Sequence, residues 1–432
     1  MRIHILGICG TFMAGLAQIL KESGHQVSGA DIQFYPPMSE YIEDIGIKTI
    51  QGYKRETLPD ADLYVIGNAL SRGNECVEEI LDKNLPFISG PEILGKELKG
   101  RNVFAISGTH GKTTTSYMLA HIFLDQGKNI GYLIGGISEG FENPAKLGTD
   151  PIFVIEADEY DSAFFDKRSK FIHYSPSNLI INNIEFDHAD IFNDIEDIKR
   201  QFHHLIKIIP TSGNIIFFNN DVNTTEVLNR ESWCNKIAID SGDIKIDFES
   251  KSLKIDNDEF SLEELPLIGE HNFRNYVSAI LAAQIEGVSI NASINSLKKF
   301  KGVKRRMDFI IESSNICIYD DFAHHPTAIK LSCSAIKNKF PSKKILGIVE
   351  LGSNTMSSGY HKENLINSFE LLDETLLLDM NKKYKYENVF DSDKSLIKHL
   401  KEIIFEYDII LIMTNKDSQK FIKPIVKHLE KK

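Results

Sequence analysis

The sequence Asn102-Val-Phe-Ala-Ile106-Ser-Gly108-Thr109-His110-Gly111-Lys112-Thr113-Thr114 joins an apolar run to a glycine turn that ends in Gly-Lys-Thr-Thr. The apolar run predicts a strand over 102–106, and the residues after the turn predict a helix over 113–126. A strand, a glycine turn and a helix in this order point several backbone N–H groups at one spot, where the helix N-terminus adds positive potential. The pattern therefore predicts a phosphate-binding loop over Gly108–Thr114, in which Lys112 reaches a nucleotide's terminal phosphates and Thr113 ligates Mg²⁺.

This loop departs in one position from the common pattern G-x-x-x-x-G-K-[ST]. Ile106 stands where that pattern has its first glycine. The alternative interpretation is a tight strand-to-helix turn that carries Gly-Lys-Thr by chance. The strand before the loop and the helix after it are the context that a phosphate loop requires.

Composition limits the kinds of protein that this chain can be. Hydrophobic residues make up 42% and charged residues 25% of the 432 residues, a mixture typical of globular proteins. The net charge is −12 and no basic run is dense, so we expect no nucleic-acid partner. The five scattered cysteines and the N-terminus, which resembles neither a signal peptide nor a membrane span, predict a cytoplasmic protein without a membrane partner. We expect a monomer or a weak homodimer.

The order of strands and helices predicts an α/β fold in three domains. We expect a Rossmann-like N-terminal domain over 1–98, a central P-loop domain with a parallel sheet over 99–302, and a C-terminal α/β domain over 303–432. The predicted strands are 2–6, 26–30, 62–66, 102–106, 152–156, 178–182, 214–218, 316–319, 344–349 and 408–413. The predicted helices include 13–22, 113–126 and 275–286.

Acidic residues follow two predicted strands of the central domain. Glu156-Ala-Asp158-Glu159-Tyr160-Asp161 ends one strand, and Asn183-Ile-Glu185-Phe-Asp187-His188 follows another. Ligands of open α/β sheets bind at the carboxyl edge, and carboxylates beside a phosphate loop suit Mg²⁺. The pattern predicts a metal site framed by these strand ends. The alternative is that the acidic residues and the histidine occupy solvated turns.

Four further segments have no single interpretation. Gly7-Ile-Cys9-Gly10-Thr11-Phe12 with Asp31 imitates a dinucleotide fingerprint, but Cys9 and Phe12 replace glycines, so a nicotinamide cofactor is not expected and a bound anionic group is. Asn272 precedes a predicted helix and could simply cap it. The basic residues 304–306 could form a solvated linker, and 320–326 forms a strand-edge loop to which spacing alone assigns no role.

Taken in order, these motifs resemble those of the Mur ligase family, the ATP-dependent amide-forming enzymes of peptidoglycan assembly. Gly108–Thr114 is similar to the family's ATP loop, and Gly269-Glu-His-Asn272-Phe-Arg-Asn275 is similar to its G-x-H-N-x-x-N motif. The resemblance covers nearly the whole chain. It implies a nucleotide-sugar domain, a central ATPase domain and a C-terminal domain that helps to bind the incoming amine.

The resemblance also implies roles for individual residues, with ATP and Mg²⁺ as cofactors. ATP would be bound by Gly108, Thr109, His110, Gly111, Lys112, Thr113 and Thr114, with Asn272 and Asn275 at the adenine, Arg306 at the phosphates, Asp321 at the ribose and His324 nearby. Magnesium would be held by Thr113, Glu156 and, at a second ion, His188. The catalytic set would be Lys112, Glu156, His188 and Arg306, and the UDP moiety would lie against Gly7, Gly10, Thr11, Asp31 and Ser71.

Within the family, four segments are most similar to the member that joins UDP-N-acetylmuramate to the murein tripeptide L-Ala-γ-D-Glu-meso-diaminopimelate in peptidoglycan recycling. They begin at Glu156, Asn183, Gln201 and Ser353. In this interpretation Ser353, Asn354 and Thr355 contact the amine substrate. The alternatives are the L-alanine-adding member, an inactive nucleotide-sugar-binding module and a generic kinase. Two differences from the recycling member suggest the inactive module. Leu351-Gly352 stands where the recycling member tends to have Pro-Arg, and residues 413–417 lack the expected glycine-rich run.

Overall fold

A computed structural model describes residues 1–34, 37–189 and 191–430 of the chain. These residues fall into two compact units made of separate chain segments. The first unit comprises Met1–Glu185, Ile195–Glu264 and Asn275–Lys301, and the second comprises Phe186–Asp194, Leu265–Arg274 and Gly302–Lys432. No helix among the described residues is both long and apolar enough to cross a bilayer.

The N-terminal part of the first unit is a five-stranded parallel sheet of order β3-β2-β1-β4-β5. The central strand β1 is buried on both faces after its first residue, which is why it reads as a nearly continuous apolar run. Because β2 and β4 flank β1, the loops after these three strands meet at one edge. The elements are β1 (Arg2–Leu6), α1 (Thr11–Glu22), β2 (Gln26–Asp31), α2 (Met38–Asp44), β3 (Lys48–Gln51), β4 (Leu63–Ile66), α3 (Glu75–Asp82), β5 (Phe87–Ser89) and α4 (Gly90–Glu97).

The second sheet of this unit has seven strands in the order β14-β13-β12-β6-β9-β7-β8, all parallel except for the β7–β8 pair. Strand β6 lies between β12 and β9, so the loops that follow these three strands are neighbours. The elements up to β14 are β6 (Asn102–Ser107), α5 (Lys112–Asp125), β7 (Gly131–Leu133), β8 (Ala145–Lys146), β9 (Ile152–Glu156), β10 (Asp161–Ala163), β11 (Asp166–Ser169), β12 (Asn178–Ile181), α6 (Ile195–Lys207), β13 (Asn214–Phe218), α7 (Val222–Arg230) and β14 (Asn235–Ile239).

A small antiparallel sheet and two helices follow in the chain. They are β15 (Ile244–Asp247), β16 (Ser252–Ile255), β17 (Asp258–Ser261), α8 (Glu270–Ile285) and α9 (Ile290–Leu297). Helix α8 is divided between the two units. Its residues up to Arg274 belong to the second unit, and its residues from Asn275 onward belong to the first.

The second unit is built on a six-stranded sheet of order β18-β19-β23-β20-β21-β22, in which only the β18–β19 pair is antiparallel. Alternating side chains of its strands fill two cores, with Val349 and Leu411 in one and Ile348 and Ile410 in the other. The elements are β18 (Asp308–Ser313), β19 (Ile316–Asp321), α10 (Pro326–Lys339), β20 (Ile345–Glu350), α11 (Asn354–Ser358), α12 (Lys362–Ser368), β21 (Glu374–Leu378), β22 (Val389–Phe390), α13 (Asp393–Ile403), β23 (Ile409–Met413) and α14 (Gln419–Leu429).

Three sheets with mainly parallel strands confirm the predicted α/β class. The predicted strands 2–6, 152–156 and 214–218 have the bounds that the structure gives them. The helix predicted to begin at Asn275 begins at Glu270, so the interpretation of Asn272 as a residue that only caps it is wrong. Asn272 lies in the first turn, and its side-chain amide donates to the carbonyl of Ile268 at 2.8 Å. The predicted domain boundaries near 98 and 303 remain predictions.

Candidate active site

The loop between β6 and α5 needs glycine at two positions. Gly108 and Gly111 have φ of +128° and +81°, which side chains rarely adopt. A Cβ at Gly108 would lie 2.8 Å from the Asn183 carbonyl oxygen, and one at Gly111 would lie 2.6 Å from Asn275 Oδ1. A side chain at either position would collide with these neighbours, so the loop requires glycine there, and helix α5 begins directly after the loop at Lys112.

The end of β12 holds this loop in place. The backbone amide of Thr109 donates to the carbonyl of Asn183 at 3.0 Å, and the amide of His110 donates to Asn183 Oδ1 at 2.8 Å. Asn182 donates to the hydroxyl of Thr115 at 3.1 Å, and that hydroxyl donates to Asn275 Oδ1 at 3.1 Å. The conformation of the loop is thus set by side chains from another strand and another helix.

The end of β9 supplies carboxylates on the other side of the loop. Thr113 donates its hydroxyl proton to Glu156 Oε1 at 2.8 Å, and the Gly135 amide donates to Oε2 at 2.8 Å. Lys112 Nζ donates to the carbonyl of Gly108 at 2.5 Å and lies 3.7 Å from the buried carboxylate of Glu159. Thr113 and Glu156 are hard oxygen donors placed together beside the loop, a set that suits Mg²⁺.

The loop after β1 forms a second anion-binding candidate in the same unit. Gly7 has φ of +83°, and its amide donates to the carbonyl of Ala30 at 2.9 Å. Asp31 Oδ2 accepts from the amide of Cys9 at 2.9 Å, so the carboxylate organises the turn. Gly10 caps helix α1, and Thr11 is its first residue. The structure brings these residues of the predicted UDP group to one sheet edge.

Ser71 lies in the loop after β4, the strand that neighbours β1. The same loop begins at Gly67, whose amide donates to the carbonyl of Leu6 at 3.0 Å. Ser71 itself is exposed. The two loops therefore start side by side.

The remaining predicted nucleotide and metal residues belong to the second unit, apart from Asn275. Both oxygens of the buried Asp321 accept backbone amides, from Ala323 at 2.7 Å and from Met307 at 2.6 Å. Burial raises the pKa of this carboxyl group. The guanidinium of Arg306 lies 5.0 Å above the ring of Phe322, and His324 Nδ1 is 2.8 Å from the carbonyl oxygen of Phe322.

The segment around His188 contains Asp187, a buried carboxylate of the predicted metal-site cluster. His188 has φ of +59°, and its amide donates to Asp187 Oδ1 at 2.7 Å. Burial opposes ionisation of Asp187, but His188 and its amide, together with His324 and His325, lower the pKa of Asp187 to about 2. The carboxylate is therefore charged at neutral pH.

The predicted amine-substrate residues lie at the start of α11. Ser353 caps this helix and accepts from the amide of Met356 at 3.2 Å. Thr355 is buried, and its hydroxyl donates to Asp187 Oδ1 at 3.0 Å and accepts from the Ala189 amide at 3.1 Å. Asn354 is exposed. Within the second unit, Thr355 and the segment after Phe186 thus form one hydrogen-bonded cluster.

Sequence reasoning placed Asn183 and Asp187 in an acidic segment, but it did not predict that Asn182 and Asn183 hold the loop or that Asp187 accepts from Thr355. The signal was available in Asn182-Asn183, because a pair of amides directly after a buried strand has few uses apart from hydrogen bonding to neighbouring loops. Which loop they would hold depends on the strand order, and that order is not visible in the sequence.

Comparisons with known proteins agree with this architecture. The Mur ligase family catalytic domain matches residues 2–101, the Mur ligase middle domain matches residues 106–283, and the Mur ligase glutamate ligase domain matches residues 305–416. The chain is 45% identical to the UDP-N-acetylmuramate--L-alanyl-γ-D-glutamyl-meso-2,6-diaminoheptandioate ligase of Escherichia coli (strain K12), over 88% of this chain and 85% of that protein.

A solved structure and a second kind of relative complete the comparison. The crystal structure of a murein peptide ligase from Psychrobacter arcticus is 36% identical, covers 99% of this chain and 98% of its own, and superposes with a TM-score of 0.75. The UDP-N-acetylmuramate--L-alanine ligase of Clostridium kluyveri is 32% identical over 95% of this chain and 94% of that protein. The phosphate loop, the three sheets and these matches together show that the chain belongs to the Mur ligase family of ATP-dependent ligases.

Proposed function

We propose that this chain joins UDP-N-acetylmuramate to the tripeptide L-Ala-γ-D-Glu-meso-diaminopimelate by an ATP-dependent amide ligation, as in peptidoglycan recycling. The observation that carries the proposal is the phosphate loop with Thr113 and Glu156 in contact beside it. The substrates follow the relative from Escherichia coli, which is 45% identical, whereas the L-alanine ligase from Clostridium kluyveri is 32% identical.

The loop residues of the first unit bind the phosphates of ATP. Amides of Gly108–Thr114 surround the phosphates, and Lys112 turns from its own loop carbonyl toward the β- and γ-phosphates. Asn275, which packs against Gly111, lies at the adenine side. By resemblance to the family, Asn272 contributes to the adenine contacts, Arg306 to the phosphate contacts and Asp321, with His324 nearby, to the ribose contacts.

Mg²⁺ fits the oxygen donors of Thr113 and Glu156, and His188 would bind a second ion. When bound, Mg²⁺ neutralises charge on the phosphates during transfer. Thr113 keeps its hydroxyl oriented through Glu156, which in turn accepts from the Gly135 amide. These contacts hold both donors in place before any ion arrives.

The sugar nucleotide binds at the loops of the first sheet. The ligand contacts the glycine turn at Gly7 and the start of α1 at Gly10 and Thr11. Asp31 holds this turn by accepting from the Cys9 amide, and Ser71 lies in the adjacent loop. Ser353, Asn354 and Thr355 contact the peptide, with Thr355 held by Asp187.

The chemistry has two steps. The muramate lactyl carboxylate attacks the γ-phosphorus of ATP, ADP leaves, and an acyl phosphate forms. The α-amine of the peptide then attacks the acyl carbon, phosphate leaves with the C–O bond electrons, and the amine loses a proton. Phosphorylation is needed because a carboxylate repels the amine's electron pair and has no leaving group. Lys112 stabilises the charge that spreads over the transferred phosphoryl group.

Mass spectrometry of the products tests the proposal. The enzyme is incubated with UDP-N-acetylmuramate, ATP and Mg²⁺, and with the tripeptide, free L-alanine or no amine. With the tripeptide, we expect UDP-N-acetylmuramate linked to the tripeptide through an amide bond, and one ADP and one phosphate released for each molecule of this product. A preference for L-alanine would assign the chain to the other ligase activity. A phosphorylated end product or no product would contradict ligation.

A further inference from the structure

Lys170 is a buried cation that none of the roles above uses. Its side chain is only 10% exposed, and Nζ donates to Asp158 Oδ2 at 3.1 Å. The nitrogen also lies 5.5 Å from the ring centroid of Tyr160 and 5.7 Å from that of Phe12. The backbone amide of Lys170 donates to the carbonyl of Tyr160 at 2.9 Å. The hairpin of β10 and β11 thus returns the chain to the end of β9 and fixes this ammonium there.

The ammonium has more hydrogen-bonding capacity than its surroundings use. A lysine side chain carries three N–H donors, and among the described residues Asp158 provides its one oxygen acceptor. The two aromatic rings stabilise the positive charge but accept no conventional hydrogen bond. Since burial makes unused donors of a charged group costly, the geometry is suited to an additional anionic oxygen from a ligand.

The neighbours of Lys170 indicate which ligand oxygen this is. Three carboxylates at the end of β9 and directly after it each contact a different residue. Glu156 accepts from Thr113, Glu159 lies near Lys112, and Asp158 accepts from Lys170. On the other side, Phe12 is the second residue of α1, directly after the glycine turn of the first sheet. Lys170 therefore connects the phosphate-loop corner to the proposed sugar-nucleotide loop.

We propose that Lys170 binds the lactyl carboxylate of UDP-N-acetylmuramate and directs it toward the terminal phosphate of ATP, with Asp158 positioning the ammonium. This inference rests on the proposed function. The carboxylate has to lie between the two loops, because its oxygen attacks a phosphate held by one while its sugar nucleotide is held by the other. The diphosphate of the same ligand is the other anion within the molecule, but it does not have to approach the phosphate-loop corner.

Binding measurements with two sugar nucleotides test the assignment. UDP-N-acetylglucosamine has a hydroxyl group in place of the lactyl ether that carries the carboxylate, and it otherwise matches UDP-N-acetylmuramate. For Lys170→Met we expect the affinity for UDP-N-acetylmuramate to fall about 10- to 100-fold, the range of a hydrogen bond to a charged group. The affinity for UDP-N-acetylglucosamine should not change, and Lys170→Arg should restore part of the loss.

Lys167→Met is the matched control. Lys167 lies in the same hairpin and pairs with Asp161 at 2.8 Å, but its side chain is 70% exposed. We expect this variant to bind both sugar nucleotides like the parent enzyme. Equal losses for both ligands in Lys170→Met would show that Lys170 binds the diphosphate, and unchanged affinities would show that it binds neither anion. Either result overturns the proposal.

Asp158→Asn keeps the proposal testable if Lys170→Met does not fold. The Asp158 side chain is 30% exposed. For Asp158→Asn we expect a smaller loss of affinity than for Lys170→Met, again for UDP-N-acetylmuramate only. No specific loss would contradict the positioning role. The parent enzyme's product analysis tests the ligase function separately, since normal ligation with no ligand-specific effect of either substitution would overturn only the role of Lys170.

Discussion

His4 shows how one buried side chain on β1 couples the fold to pH. The residue is 1% exposed, and its Nδ1 lies 2.8 Å from Ser28 Oγ on β2. Burial lowers the pKa of His4 from 6.5 to about 4. The folded protein therefore keeps His4 neutral at a pH where the unfolded chain takes up a proton.

We predict that His4 makes the protein less stable as pH falls from 6.5 to about 4. The stability contribution is complete above the unfolded pKa and is lost on acidification, by at most about 3 kcal/mol. In a plot of melting temperature against pH, His4→Gln should reduce the slope over this pH range. The exposed His204→Gln is the control and should leave the slope unchanged. An identical slope in His4→Gln and the parent protein would contradict the assignment.

At the scale of elements, the phosphate loop depends on the strand beside it. Asn183 follows β12 and accepts the His110 amide through its side chain, while its backbone carbonyl accepts the Thr109 amide. Because the side chain provides one of these contacts, its removal leaves the second intact. Without the Asn183 side chain, the loop should become more mobile, but its backbone hydrogen bond from Thr109 to the Asn183 carbonyl should remain.

We predict that Asn183→Ala raises the KM for ATP about tenfold, since a loop amide loses its acceptor at a cost of about 1–3 kcal/mol. Steady-state kinetics with ATP as the varied substrate measures this. Asn220→Ala is a matched control, because Asn220 follows β13, is exposed, and donates to Asp240 at 3.3 Å. A KM for ATP that is the same in Asn183→Ala and the parent enzyme would show that the loop is held by the backbone contact alone.

At the scale of the molecule, the two loops of the first unit that we propose to bind anions are carried by different sheets. The loop after β1 leaves the five-stranded sheet, and the phosphate loop leaves the seven-stranded sheet. Each has its own hydrogen bonds, such as those from Gly7 to Ala30 and from Thr109 to Asn183. The binding of the sugar nucleotide and the use of ATP should therefore be separable by mutation.

Lys112→Ala should separate them. We expect ATP-dependent phosphate release to fall at least about 100-fold, because a cation at the transferred phosphoryl group is lost. The dissociation constant for UDP-N-acetylmuramate should stay within about twofold, because its proposed contacts come from the loops of the other sheet and from Lys170, and not from Lys112. Isothermal titration and a phosphate-release assay measure the two quantities. Normal turnover in this variant would refute the assignment of Gly108–Thr114 as the ATP loop.

The sequence by itself determined the fold class, the glycine turn between β6 and α5 and the family, because these depend on local signals. Apolar runs such as 152–155 predict strands wherever they pack, and Gly108 and Gly111 mark a turn through their backbone freedom. Only the tertiary structure decided that β12 and β9 flank β6, which places Asn183 and Glu156 on opposite sides of the loop. Lys170 likewise became a candidate only when folding buried it between Phe12 and Tyr160, since residues that are distant in the chain meet through strand order and packing.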